Sequence, residues 1–175
     1  MGALVACMYG AALDVAVGLL AQYGLFVLLV AFTLEGALVG KLIPTRALFV
    51  AAVLAIGTDA VGVASVAVVA VVGATLGQIG LFVLIRRTEL PIESLPGTPE
   101  PETDDRVDRW FDRWGVSAIA LSNTMPVARG SLTVPAAMTE TDPVRFSASS
   151  VVGSSVYAVG LVAVASGLDA VVGTF

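Results

Sequence analysis

The chain has 175 residues, 57% of them hydrophobic and only 13% charged, with a mean hydropathy of +0.94. Soluble domains carry about 25% charged residues, so the composition points to an integral membrane protein whose core is helix packed on helix in lipid. Histidine is absent and Cys7 is the only cysteine, which excludes a disulfide framework, Ser-His or Cys-His catalysis and a cysteine-based metal site.

In chain order, "DVAVGLLAQYGLFVLLVAFTL" predicts a transmembrane helix over about residues 15–34, ending at Glu35. "EGALVGKLIPTRALFVAAVLAIG" follows, with Glu35, Lys41 and Arg46 among apolar residues and Pro44 in the middle. Neither arm, Gly36–Ile43 or Ala47–Ile56, is long enough to span a bilayer alone, so the segment predicts a re-entrant hairpin or a broken helix. Val61–Ile85 contains no charge and is the cleanest span. Arg86-Arg87 at its end marks the cytoplasmic side under the positive-inside rule.

Residues 88–105 read as an acidic, proline-rich cytoplasmic loop within a single domain that covers residues 1–175. "DDRVDRWFDRWG" then predicts a short amphipathic helix with Arg106, Arg109 and Arg113 on one face. It would lie either in the membrane interface or against the protein's own core. Val116–Leu121 and Val134–Met138 form a second pair of short arms around "SNTMPVARGSLTVPAAM", which holds Pro126, Arg129 and Pro135. A last span, Val144–Gly167, is rich in Ser, Gly and Ala, which permits close helix packing in membranes. Two interrupted apolar segments in corresponding positions of two halves are a sequence signature of a transporter site.

Fourteen acids face nine bases, and eight of those acids lie between Glu89 and Asp112. Such an acidic surface with a single lysine is expected of a halophilic, archaeal source, since solubility follows net charge.

The spacing of residues 111–157 resembles the second-half pattern of the DedA family, part of the VTT-domain (SNARE-associated Golgi protein) superfamily. The residues that carry it are Phe111 and Gly115, Pro126 and Arg129, Ala136-Ala137-Met138 and Phe146. Ser150, Gly153 and Tyr157 stand where that pattern has Asn, Gly and Trp. In the first half, Glu35 resembles the family's membrane glutamate and Pro44 the proline of its Pro-Gly-acid motif. Gly77 and Arg86 resemble the ends of its Gly-Asp…Tyr…Gly-Arg segment, with Gln78, Phe82 and Ile85 replacing three members. The chain departs from the pattern at two functional charges, where Arg46 replaces an acid and Asn123 replaces an arginine.

The resemblance implies an all-α helical bundle with two inverted re-entrant helical hairpins, multi-pass in the cell membrane. It implies a lipid transporter, a flippase or scramblase, acting on polyprenyl-phosphate or phospholipid headgroups. The expected partners are an anionic headgroup and membrane lipids, with no nucleic acid, no metal and no cofactor; a homo-oligomer is compatible with it. Enzymatic activity is not expected: Ser154 and Ser155 have no histidine to activate them.

The candidate headgroup-binding residues are Glu35, Arg46, Asn123, Pro126, Arg129 and Ser131, with Pro44, Pro126 and Pro135 as the hairpin breakers. Arg129 at membrane depth costs about 2.5–3.5 kcal/mol, which calls for a buried partner or a wet cavity. Glu35 could pair with it at rest and a phosphate could replace Glu35 during transport. Ser122, Asn123, Thr124, Ser131 and Thr133 could bind phosphate oxygens or satisfy freed backbone groups. A static Glu35–Arg129 pair that only fixes the hairpins is the structural alternative. Lys41 is expected to snorkel to the interface, and Gly73 and Gly77 to mark close helix contact. Two other functions remain open, an ion or small-solute transporter on the same scaffold and a non-transporting membrane assembly protein.

Overall fold

The computed structural model describes residues 14–15, 18–38, 43–57, 59–88, 109, 113–126, 128–139 and 141–172. Helices account for all regular structure among them: α1 (Leu25–Gly36), α2 (Thr45–Ile56), α3 (Ala60–Thr88), α4 (Ser117–Thr124), α5 (Thr133–Met138) and α6 (Pro143–Val172). Among the described residues, α3 and the stretch Pro143–Gly167 of α6 are long and apolar enough to cross a membrane. Lys41, the acidic loop and most of the amphipathic segment lie outside the described residues; Arg109, Arg113 and Trp114 are within them and exposed.

The expected first span differs from what forms. Residues 18–23 are helical, but Gly24 adopts φ 59° before α1 begins. Its N–H still reaches the Leu20 carbonyl at 2.8 Å, so the chain turns without losing that bond. The positive φ, open to glycine and costly for other residues, converts one long helix into two shorter pieces. The expected first arm, Gly36–Ile43, lies partly outside the described residues; within them Gly36 ends α1, Ala37 and Leu38 form a turn, and Ile43 and Pro44 precede α2.

Helix boundaries elsewhere follow local chemistry. Pro126 pushes Met125 into an extended conformation (φ −94°, ψ 125°), which ends α4 at Thr124. Pro44 directly precedes α2. Pro135, expected to break the second hairpin, instead sits third in α5, in the first turn where the missing N–H has no helical acceptor to serve. Asp142 caps α6, its carboxylate accepting from the Val144 and Arg145 N–H groups at 3.0 and 2.9 Å, with Pro143 as the first helical residue.

Packing interlocks the two halves. Within each half the first short arm lies along the long helix that follows, α1 on α3 and α4 on α6. The second arm crosses over, α5 packing on α3 and α2 on α6 as well as on α3. Glycine makes both first-arm contacts possible. A Cβ at Gly77 would collide with the Thr33 carbonyl, one at Gly73 would stand 2.6 Å from the Leu29 carbonyl, and one at Gly153 would meet the Ala120 carbonyl and the Asn123 side chain. The expectation that Gly73 and Gly77 mark close helix contact is met.

Arg86 ties α5 to α3. Lying 4.4 Å over the Phe82 ring, it donates to the carbonyls of Ala137 (3.2 Å), Thr139 (2.7 Å) and Thr141 (2.6 Å). A cation thus satisfies carbonyls that the end of α5 and the turn after it leave free. Phe82 in turn stacks on Phe146 of α6 with centroids 4.3 Å apart.

Replacing Gly77 by Ala is expected to lower stability by about 1–3 kcal/mol, the usual cost of overpacking. Gly80→Ala, where nothing lies within 4 Å of the added methyl, is expected to be neutral or slightly stabilising. Thermal unfolding of the two variants in detergent checks the contrast.

Candidate functional site

Two apolar clusters fill the bundle. One joins Leu28, Phe32, Leu48, Phe49, Val66 and Ala70 with Ala165. The other joins Leu38, Leu81, Phe82, Ile119, Leu132 and Phe146. On α3 the first cluster ends at Ala74 and the second begins at Leu81, and on α6 they are separated by the stretch from Phe146 to Ala165. A band of buried polar residues occupies the interval: Thr75 and Gln78 on α3, Ser150 and Ser154 on α6, and Asn123 at the end of α4.

Gln78 and Asn123 form a reciprocal amide pair, Gln78 Nε2 to Asn123 Oδ1 at 2.9 Å and Asn123 Nδ2 to Gln78 Oε1 at 3.0 Å. Asn123 Oδ1 also accepts the Gly130 N–H at 3.1 Å, and the Ser150 hydroxyl donates to Gln78 Oε1. One network thereby joins α3, α4, α6 and the loop that carries Arg129. Gly130 has φ 76° and its α-carbon faces the Leu38 side chain, so the loop after α4 touches the turn after α1.

Arg129 projects from that loop into the band with its side chain only 6% exposed. Its guanidinium lies 4.1 Å from the ring centroid of Tyr157 and 5.5 Å from that of Phe32. Its Nη1 is 4.0 Å from Glu35 Oε2, too far for a hydrogen bond. Five buried side-chain atoms lack a hydrogen-bond partner among the described residues: Glu35 Oε2, Arg129 Nε and Nη1, Thr75 Oγ1 and Ser154 Oγ. All five lie on residues of this band or of its Glu35–Arg129 pair. Unsatisfied buried polar groups cost about 1–3 kcal/mol each, more when charged, so the site holds unused donors on Arg129, Thr75 and Ser154 beside an unused carboxylate acceptor on Glu35.

Arg46, on the first turn of α2, is exposed and reaches across to the second half. Its Nε donates to the Tyr157 hydroxyl at 3.1 Å and its Nη2 to the Pro126 carbonyl at 2.6 Å. Tyr157 thus holds one guanidinium at its hydroxyl and faces a second with its ring.

The structure brings Glu35, Arg46, Arg129 and Pro126 together, Pro126 through its carbonyl. It gives Asn123 and Ser131 other duties. The Asn123 side chain is 1% exposed as a residue and engaged by Gln78 and Gly130, so it closes the loop instead of facing a ligand. The Ser131 hydroxyl donates to the Ala128 carbonyl at 2.6 Å, and those of Ser122 and Thr124 to Ile119 (3.0 Å) and Leu121 (2.7 Å). These hydroxyls satisfy backbone groups freed where the helix stops. Tyr157 and Gln78 are the site residues that sequence reasoning passed over as mere replacements in a pattern; a polar residue amid the uncharged run of α3 was the available signal for Gln78.

A family model described as the VTT domain matches residues 43–167 of the chain. The matched stretch holds Arg46, Gln78, Asn123, Arg129 and Tyr157, and Glu35 precedes it. No curated protein and no solved structure matches the chain.

Gln78→Leu is expected to strand the Asn123 amide N–H and the Ser150 hydroxyl, costing about 2–6 kcal/mol at about 1–3 kcal/mol per orphaned group. The double variant Gln78→Leu/Asn123→Leu should cost less than the sum of the two single changes. A double-mutant cycle of thermal stabilities in detergent measures that coupling.

Proposed function

The chain belongs to the VTT-domain family, the DedA and SNARE-associated Golgi group of membrane proteins, and on that premise we propose that it carries lipid-phosphate headgroups across the bilayer as a flippase or scramblase. The observation that supports this reading most is the Arg129 guanidinium, buried with Nε and Nη1 lacking a hydrogen-bond partner among the described residues and its counter-ion at 4.0 Å. A pair built only for packing gains from short, bidentate hydrogen bonds. The loose pair found here leaves an anion room to bind Arg129 in Glu35's place. The headgroup would enter the polar band between the two apolar clusters while its tails stay in lipid.

In this reading α1 with α2, and α4 with α5, act as two re-entrant hairpins whose loops meet near the middle of a multi-pass bundle in the cell membrane. The Leu38–Gly130 contact and the Arg46–Pro126 hydrogen bond join those loops. The protein has no need of a cofactor or a catalytic residue for such movement. Glu35, Arg46 and Arg129 sum to one positive charge, which attracts an anionic headgroup. With a single carboxylate in that group, the proposed movement is facilitated and not driven by a proton gradient.

Translocation of a fluorescent phospholipid and of a polyprenyl phosphate in proteoliposomes tests the proposal. Arg129→Ala is expected to reduce movement at least about tenfold, the scale of one lost charge-assisted hydrogen bond. Glu35→Gln should lower the apparent KM, because the competing carboxylate is gone. If neither lipid moves with folded wild-type protein, the transport reading fails and the pair is structural.

A further inference from the structure

Arg46 stands where the resembling charge pattern has an acid, and the structure places it at the site. It donates to the Tyr157 hydroxyl (3.1 Å) while Arg129 lies 4.1 Å from the centroid of the same ring. Two guanidiniums therefore stand about one phenol ring apart, one enclosed and one exposed. Among the described residues, Glu35 is the only acid within ion-pair distance of either.

Among the described residues, two of the five N–H groups of Arg46 are engaged, one on Nε and one on Nη2. The rest remain available to a ligand that reaches Arg129. Once such a ligand takes the place of Glu35 on Arg129, two positive charges face it. A phosphodiester offers one negative charge and two unesterified oxygens. A phosphate monoester offers three oxygens and a charge of about −1.5 to −2 near neutral pH.

We infer that Arg46 is a specificity-determining residue of this site: with Arg129 it forms a two-arginine clamp, spaced by Tyr157, that selects doubly charged phosphate over a phosphodiester. The inference rests on the headgroup reading above and narrows it to a terminal phosphate, whether on a lipid or free in solution. Tyr157 is a positioning residue, since it acts by holding Arg46 and stacking on Arg129.

Binding to the intact protein in detergent at pH 8 tests the clamp, with three probes: a short-chain alkyl phosphate, the matching dialkyl phosphate and inorganic phosphate. Wild type is expected to bind the alkyl phosphate about tenfold more tightly than the dialkyl phosphate, the scale of one added charge-assisted hydrogen bond. Arg46→Gln should bring that ratio to near one. Tyr157→Phe, which removes only the hydroxyl that holds Arg46, should lower the ratio and keeps the test open where Arg46→Gln fails to fold. A wild-type ratio of one, or a ratio unmoved in both variants, overturns the clamp and leaves the lipid reading intact. Inorganic phosphate bound as tightly as the alkyl phosphate upholds the clamp, assigns it to the free ion and sinks the lipid reading. Binding of none of the three overturns both.

Discussion

Arg129 is enclosed between two apolar clusters, and its delocalised charge must be balanced there by whatever the surrounding helices can bring. A cation taken out of water loses several kcal/mol of solvation unless neighbours restore it. Among the described residues the restoration is partial: two aromatic faces and one distant carboxylate. Cation–π contacts return about 0.5–2 kcal/mol, and a pair at 4.0 Å adds attraction without a hydrogen bond. The guanidinium is therefore held in place but not saturated. The hydrogen bonds lie one step away, in the Gln78–Asn123 pair that fixes the loop carrying Arg129.

That fixation needs both halves of the chain. Gln78 comes from α3, Asn123 and Gly130 from the second broken pair, and Ser150 and Tyr157 from α6. Because α5 packs on α3 and α2 on α6, neither half can assemble its part of the site alone. The glycines on the long helices let the backbone of α1 and α4 approach closely enough for short polar side chains to meet. Movement of either loop would then be transmitted through Arg46, which grips the Pro126 carbonyl from the other half.

Much of this was legible in the sequence, for reasons that differ by element. The uncharged run of Val61–Ile85 and the apolar, proline-free stretch after Phe146 announce α3 and α6 directly. Pro126 ends α4 because a proline excludes helical geometry in the residue before it, a rule that needs no tertiary context. The break at Gly24 was hidden, since glycine within an apolar helix reads equally as a packing residue. Pro135 was misread because proline breaks a helix interior but suits its first turn, and the difference depends on where the helix begins. At the site, Glu35, Arg46 and Arg129 stood out as charges in apolar surroundings. Asn123 and Ser131 were assigned to a ligand because a sequence shows a donor's chemistry but not the partner that has already claimed it.

The substitutions that set this chain apart from the resembling pattern compensate one another physically. Where that pattern has an acid and an arginine, the chain has Gln78 and Asn123, and these two amides pair reciprocally at 2.9 and 3.0 Å. A neutral pair with two hydrogen bonds can replace an ion pair without the desolvation cost of two buried charges. At the other departure, Arg46 replaces an acid and Tyr157 a tryptophan. An indole N–H only donates, and facing Arg46 it would set donor against donor; a phenol oxygen accepts, and Arg46 Nε takes it at 3.1 Å. The exchanges keep the Gln78–Asn123 and Arg46–Tyr157 contacts between the halves hydrogen-bonded while shifting the site towards positive charge. Gln78 and Asn123 thus bear the structural load that keeps the loops together, and the charge that is left, on Arg129, Arg46 and Glu35, is concentrated where it can be answered by a ligand.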